Sequence, residues 1–300
     1  MATHYRSVHY LRGIAAMMIL ILHTVLMGGY SGWFPQLGFG VHLFFVISGF
    51  VMYSSTANRF DWRDYVYRRA TRIYPIYWFA LLFAVVVGMA TPTLSDMLLI
   101  GGSRGPVYWQ PGTIGIAWTL VYEVMFYAVF GIAMALGRWW LAPIAVIALV
   151  VFQSLLGPLE PYGNPIILEF AAGVLLGRFA HRMSPWLLVP AFILMVLPSG
   201  EVGSLFRAVK LGSCAFCLIG GGIALERFIP DIPVLRVFGD ASYSIYLFHV
   251  PVIFALGSAP WYVTTLPAIA VGLLAHRLIE KPTLKALKRI QPPFQSLASS

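Results

Sequence analysis

The sequence predicts an all-α fold, a membrane bundle of about ten transmembrane helices with both termini in the cytoplasm. Three observations lead there. Of the 300 residues, 59% are hydrophobic and only 10% charged, and mean hydropathy is +0.81. A soluble domain carries about 25% charged residues. Long apolar segments recur along the whole chain, punctuated by Gly, Pro and charge. The cations, finally, fall almost entirely on alternate connections.

Taken in order, the apolar segments run 8–27, 37–55, 74–90, 114–136, 141–156, 165–176, 186–197, 205–225, 242–256 and 261–278. The first is longer than a signal-peptide core. No small-residue cleavage site closes it and further spans follow, so it reads as a retained helix. The sixth, seventh and ninth are short against the roughly 20 residues that cross a bilayer, so their ends are loosely set. The stretch 1–290 forms one transmembrane domain, and the tail 291–300, rich in Pro and Ser, reads as disordered.

Placing the N-terminus in the cytoplasm puts seventeen of the twenty Lys and Arg on the inner side. Arg104, Arg207 and Lys210 are left outside. This is the positive-inside pattern, and it fixes an even number of spans. It accounts for the net charge of +9 with no nucleic-acid partner. Trp33, Tyr74, Tyr77, Trp78, Trp109, Trp139, Trp140, Trp186 and Trp261 lie near span ends, as interfacial aromatics do. Cys214 and Cys217 are the only cysteines. Lying within an apolar run, they read as small packing residues rather than as a redox or metal pair, and no metal is expected.

Against this background a few polar residues stand out. Arg12 and His23 are eleven residues apart in the first segment. That is three helical turns, a rise of about 16 Å, so both point along one face. With Arg12 at the surface, His23 is expected near mid-membrane. An ionisable group there costs about 2.5–3.5 kcal/mol or more and marks a functional site by default. The bland reading is a neutral imidazole donating to a helix carbonyl. Glu123 is expected at similar depth in the fourth segment, and must face the bundle or a water-filled cavity. It reads either as a partner of His23 or as a polar tie between helices. His249 in the ninth segment, Glu169 in the sixth and His42 in the second are further polar candidates. Arg68, Arg69 and Arg72 crowd the entrance to the third segment. Arg69 and Arg72, at i and i+3, share a face suited to forked hydrogen bonds with phosphate. Anchoring at anionic lipid headgroups is the alternative.

Several stretches together resemble acyltransferase family 3, the bacterial integral-membrane O-acyltransferases. They are Tyr10-Leu11-Arg12-Gly13 with His23, and Gly40-Val41-His42-Leu43-Phe44-Phe45 running on to Gly49-Phe50. Next come Arg68-Arg69-Ala70-Thr71-Arg72-Ile73-Tyr74-Pro75 and Trp118-Thr119-Leu120-Val121-Tyr122-Glu123. Ser242-Tyr243-Ser244-Ile245-Tyr246-Leu247-Phe248-His249 and Ile279-Glu280-Lys281-Pro282 close the pattern. The Trp118–Glu123 form looks closest to members that acetylate exopolysaccharide. The resemblance implies ten spans in the bacterial inner membrane, a cytoplasmic acyl-CoA donor with acetyl-CoA as the default, and a glycan or lipid-linked saccharide hydroxyl as acceptor. It implies that His23 is the catalytic histidine, that Arg12 belongs to the same motif, and that Arg69 and Arg72 contact the donor. Glu123 matches the family's acidic position, and Arg12 is a further candidate for holding the donor phosphates. Tyr122 and His249 are candidate substrate-binding residues. The chain departs from the family pattern in having His42 in place of Asp, and Val124-Met125 in place of Glu-Gln.

Acyl transfer from a thioester to an alcohol requires removal of the hydroxyl proton and stabilisation of the carbonyl oxygen. His23 is expected to act as general base or to take the acyl group first, with Glu123 orienting the imidazole or stabilising the imidazolium. The competing expectation is a proton-coupled transporter with His23, Glu123 and His249 as a relay.

Overall fold

A computed structural model describes residues 5–29, 35–58, 60–100, 113–156, 164–198, 200–201, 203–257 and 259–290. The tail 291–300, with Arg59, Arg104, Trp33 and Trp109, lies outside the described residues. Among the described residues the fold is all-helical, with no strand. The α-helices are α1 (Arg6–Met27), α2 (Phe39–Thr56), α3 (Trp62–Val86), the short α4 (Leu94–Leu98), α5 (Trp118–Ala135) and α6 (Leu141–Leu156). They continue with α7 (Leu168–Phe179), α8 (Leu188–Val196), α9 (Leu205–Ala224), α10 (Pro233–Leu256), α11 (Trp261–Ala275) and α12 (Lys281–Ile290). A π-helical turn, His276–Glu280, joins the last two.

Every apolar segment of the sequence falls on a helix. Among the described residues, six helical stretches are long and apolar enough to cross a membrane: Arg6–Met27, Gln36–Thr56, Gly115–Ala135, Leu205–Ala224, Pro233–Leu256 and Trp261–Ile290. Leu141–Leu156 and Pro185–Val196 are shorter apolar helices. Large apolar side chains such as Leu82, Ile132, Leu155, Phe192 and Leu266 are exposed on the outside of the bundle. A soluble monomer rarely shows so much apolar surface. The protein is a multi-pass membrane protein.

Three boundaries differ from the hydropathy reading, each for one reason. Helix α3 begins at Trp62, well before residue 74, and α10 begins at Pro233 rather than 242. The last span runs on through the π turn to Ile290. In each case the added turns carry charge, which interrupts the hydropathy that marks a span. The start of α3 is fixed by Asp61, whose carboxylate accepts from the Arg63 and Asp64 backbone N–H groups at 2.9 Å. The start of α1 is capped from a distance. Glu226 accepts from the Arg6 and Ser7 backbone N–H groups at 2.6 and 3.0 Å. A carboxylate there satisfies orphan donors and complements the helix dipole.

The bundle is built around two close helix pairs, α1 with α10 and α2 with α7. Both depend on glycine. A Cβ on Gly49 would collide with Phe170 O, and one on Gly173 with Val46 O, so α2 and α7 meet backbone to backbone. A Cβ on Gly13 would lie 2.7 Å from Gly239 N, which brings α10 against α1 beside Arg12. Cys214 is buried in α9 and its thiol donates to Ala191 O at 3.2 Å, a packing role.

Along α1, Arg12 lies about 9 Å from the start and His23 about 6 Å from the end. His23 therefore sits near the end of its helix opposite the N-terminus.

Candidate active site

The site is two cavities at opposite ends of α1. The first has a volume of about 140 Å³ and is lined by Arg12, Arg69, Arg72, Ser48, Glu123 and Tyr127, among others. The second, of about 400 Å³, takes in His23, His42, Trp118, Asn164, Arg207 and Tyr246. Val41 and Tyr246 line both, so the two cavities share a wall. The Tyr246 hydroxyl is fixed in that wall, 2.7 Å from Thr119 Oγ1 and 3.1 Å from Ile116 O.

In the first cavity each arginine is braced. Arg12 Nη2 donates to Gly239 O at 2.7 Å, across the glycine crossing of α1 and α10. Arg69 Nη2 donates to Ser55 Oγ at 2.7 Å, and its guanidinium lies over the Tyr65 and Tyr127 rings, 5.7 and 5.4 Å from their centroids. Arg72 Nη1 donates to Glu280 Oε1 at 2.7 Å and lies 5.2 Å from the Tyr243 centroid. Glu280 itself is 1% exposed. It also accepts from Ser244 Oγ at 2.8 Å and from His276 Nδ1 at 2.7 Å. One buried carboxylate thus aims Arg72 and ties α3, α10 and the π turn together.

Three guanidinium groups line this cavity with one carboxylate, Glu123, and among the described residues only Arg72 has a carboxylate partner, Glu280 behind it. Arg12 Nε and Arg69 Nε are buried with no hydrogen-bond partner among the described residues. Such a surplus of cationic donors fits an anion with several oxygens, as in a phosphate or pyrophosphate.

Glu123 does not reach His23. Its Oε1 accepts from Ser48 Oγ at 3.0 Å and from the Tyr127 hydroxyl, and it opens on the first cavity rather than the second. The group beside His23 is His249 instead. Its Nε2 lies 3.2 Å from His23 Nδ1, with ring centroids 5.0 Å apart. His249 Nδ1 lies 3.2 Å from Ile245 O, so the proton of His249 belongs on Nδ1 and its Nε2 carries a lone pair. That lone pair and Ile19 O, at 2.8 Å, both face His23 Nδ1. Two acceptors at Nδ1 put the proton of His23 there. Its Nε2 is left with a free lone pair, the state a base or nucleophile needs.

Tyr122 is not in either cavity lining. It is buried, edge-on to Phe45 and Trp118. The helix period accounts for this placement: Glu123 turns inward to one cavity, and its sequence neighbour turns into the core.

The comparisons with known proteins show which family the chain belongs to. A family model described as an acyltransferase domain matches residues 5–279. The chain belongs to acyltransferase family 3. It is 30% identical over 288 residues to the Exopolysaccharide production protein ExoZ of Rhizobium meliloti (strain 1021), covering 82% of this chain and 89% of that one. It is 23% identical over 300 residues to Nodulation protein 10 of Rhizobium leguminosarum bv. viciae, covering 82% of each. It is 24% identical over 326 residues to Acyltransferase MdmB of Streptomyces mycarofaciens, covering 84% of this chain and 82% of the relative. No solved structure matches the chain at a significant level.

As a member of acyltransferase family 3 the protein is an acyltransferase and takes an acyl donor. This argues against the transporter expectation, and so does the separation of Glu123 from His23. Four residues of this family-3 site had no role from the sequence: Ser48, Tyr127, Tyr246 and Glu280. Glu280 stood in the closing stretch Ile279-Glu280-Lys281-Pro282, but nothing local pointed to its partner Arg72. The others are ordinary side chains until the helices are placed.

Proposed function

We propose that the protein is a membrane O-acyltransferase. It moves an acyl group, acetyl by default, from cytoplasmic acyl-CoA to a hydroxyl of an exported polysaccharide or its lipid-linked precursor, in the bacterial inner membrane. One observation carries the reading: three braced arginines and a histidine with a free Nε2 line adjoining cavities at opposite ends of one helix. The phosphates of CoA suit Arg12, Arg69 and Arg72. The positive-inside count assigns that end to the cytoplasm and, with ten spans, both termini with it. The name of the Rhizobium meliloti relative, an exopolysaccharide production protein, supports a polysaccharide acceptor. Trp118 and Asn164 in the second cavity are the kinds of side chain that stack on and hydrogen-bond a sugar.

In this mechanism the pantetheine arm passes the Tyr246–Val41 wall and brings its thioester to His23. His23 Nε2 acts on the acyl transfer as general base or as acyl carrier. When positive charge develops on the ring, the Nδ1–H bonds to Ile19 O and His249 Nε2 strengthen. His249 is then a positioning residue that fixes the His23 tautomer. Glu123 serves on the donor side, holding Ser48 and Tyr127 and balancing the arginines. The test is His23→Ala in proteoliposomes with labelled acetyl-CoA inside and polysaccharide outside. The expected result is normal insertion with no labelled glycan. Labelled glycan at the wild-type rate rejects the reading.

A further inference from the structure

The second cavity contains another imidazole, and it is mounted differently. His42 stands in the first turn of α2 and lines the same cavity as His23. Its Nδ1 is hydrogen-bonded to Glu169 Oε1 of α7, a carboxylate that is 1% exposed. Glu169 is wedged against α9, where a Cβ on Gly212 would lie 2.9 Å from its Cγ. Its second oxygen is buried with no partner among the described residues. Such a carboxylate has little freedom except to hold His42. With Nδ1 so engaged, Nε2 is the ring nitrogen left to the cavity. A carboxylate behind Nδ1 with Nε2 presented to a reaction space is the arrangement of a general base.

His23 lacks that support. Its Nδ1 meets a backbone carbonyl and a neutral imidazole. A histidine that carries an acyl group on Nε2 has no lone pair left for an attacking hydroxyl. Two imidazoles in one cavity, one unsupported and one backed by an acid, divide that work. We propose that His42, held by Glu169, takes the proton of the acceptor hydroxyl while His23 carries the acyl group. The inference rests on the reading of His23 above and deepens it.

The steps balance. His23 Nε2 attacks the thioester carbonyl, the C–N bond forms and the C–S bond breaks. The CoA thiolate leaves and takes a proton from water on the donor side. The acyl-imidazolium keeps its Nδ1 proton, donated to Ile19 O and His249 Nε2. The acceptor oxygen then attacks the acyl carbon while His42 Nε2 takes the hydroxyl proton. The C–O bond forms, the C–N bond breaks, and His23 returns neutral. His42 gives its proton to water in the second cavity.

The first half needs no acceptor, so it can be measured alone, as exchange of labelled CoA into acetyl-CoA by the full chain in proteoliposomes. The second half is measured as O-acetyl content of surface polysaccharide in cells expressing the protein. For His42→Gln we expect exchange within about threefold of wild type and polysaccharide acetylation reduced about 100-fold, in the range a general base supplies. Glu169→Gln should also keep exchange while acetylation falls about tenfold, and Glu169→Asp should recover part of it. A merely structural Glu169 would lose exchange as well. The proposal is overturned if His42→Gln acetylates normally. It is overturned too if exchange is lost in both His42→Gln and His42→Asn, or if the wild type shows no exchange. His23→Ala separates the two readings, because it should lose both activities. Transfer retained by that variant sinks the role of His23 itself.

Discussion

His249 is proposed to act without reaching substrate. It is fully buried, and its contribution is one lone pair directed at His23 Nδ1. Replacing it with Phe keeps the bulk and removes the acceptor. We expect kcat to fall about tenfold or more with the acyl-CoA KM unchanged, since tautomer control affects the reacting nitrogen alone. A rise in KM with normal kcat would show that His249 binds substrate instead. Arg69 and Arg72 make the opposite prediction. Changing both to Ala should raise the acyl-CoA KM at least tenfold with a smaller effect on kcat, measured by initial rates over a range of donor. An unchanged KM would leave them as membrane anchors.

At the scale of elements, the α2–α7 crossing is the most exacting contact. Val46 O and Phe170 O occupy the space a side chain would need at Gly173 and Gly49. His42 and Glu169 lie on these same two helices, so this contact sets the dyad as well as the packing. Gly173→Leu should destabilise the fold by about 3 kcal/mol or more, beyond ordinary overpacking, because backbone has to move. Thermal unfolding in detergent measures this, and a melting point within a degree of wild type would refute it. Elements also show where the sequence was legible. Segment 141–156 coincides with α6, because lipid-facing apolar residues define both ends. The beginning of α3 was hidden, because Arg63, Arg68, Arg69 and Arg72 interrupt the hydropathy that defines a span. The π turn was hidden too. One extra residue per turn leaves no mark in composition, yet it is what turns Glu280 toward Arg72 and Ser244.

For the whole molecule, the two cavities give the reaction a direction. In the proposed reaction the donor is held at the end of α1 that carries the N-terminus, and the acceptor at the other end. Cysteines introduced singly at Ala57 and at Gly257, in a chain with Cys214 and Cys217 changed to Ala, should report opposite sides. An impermeant maleimide added to intact cells is expected to label the second and spare the first. Labelling of both from one side would contradict the topology.

Membership of the membrane class and the helical fold were determined by the sequence, because water-free surroundings force apolar composition and helical backbone. The sequence also supplied the short list of candidate site residues, because charge is costly in that medium. Their partnerships were decided only by tertiary structure. His23 and His249 are separated by most of the chain, as are Arg72 and Glu280 and, over a shorter span, His42 and Glu169. Periodicity gives the face and the depth of each residue on its own helix. Which helix that face meets depends on glycine-to-glycine crossings among many apolar surfaces of similar composition, and local sequence does not encode that choice.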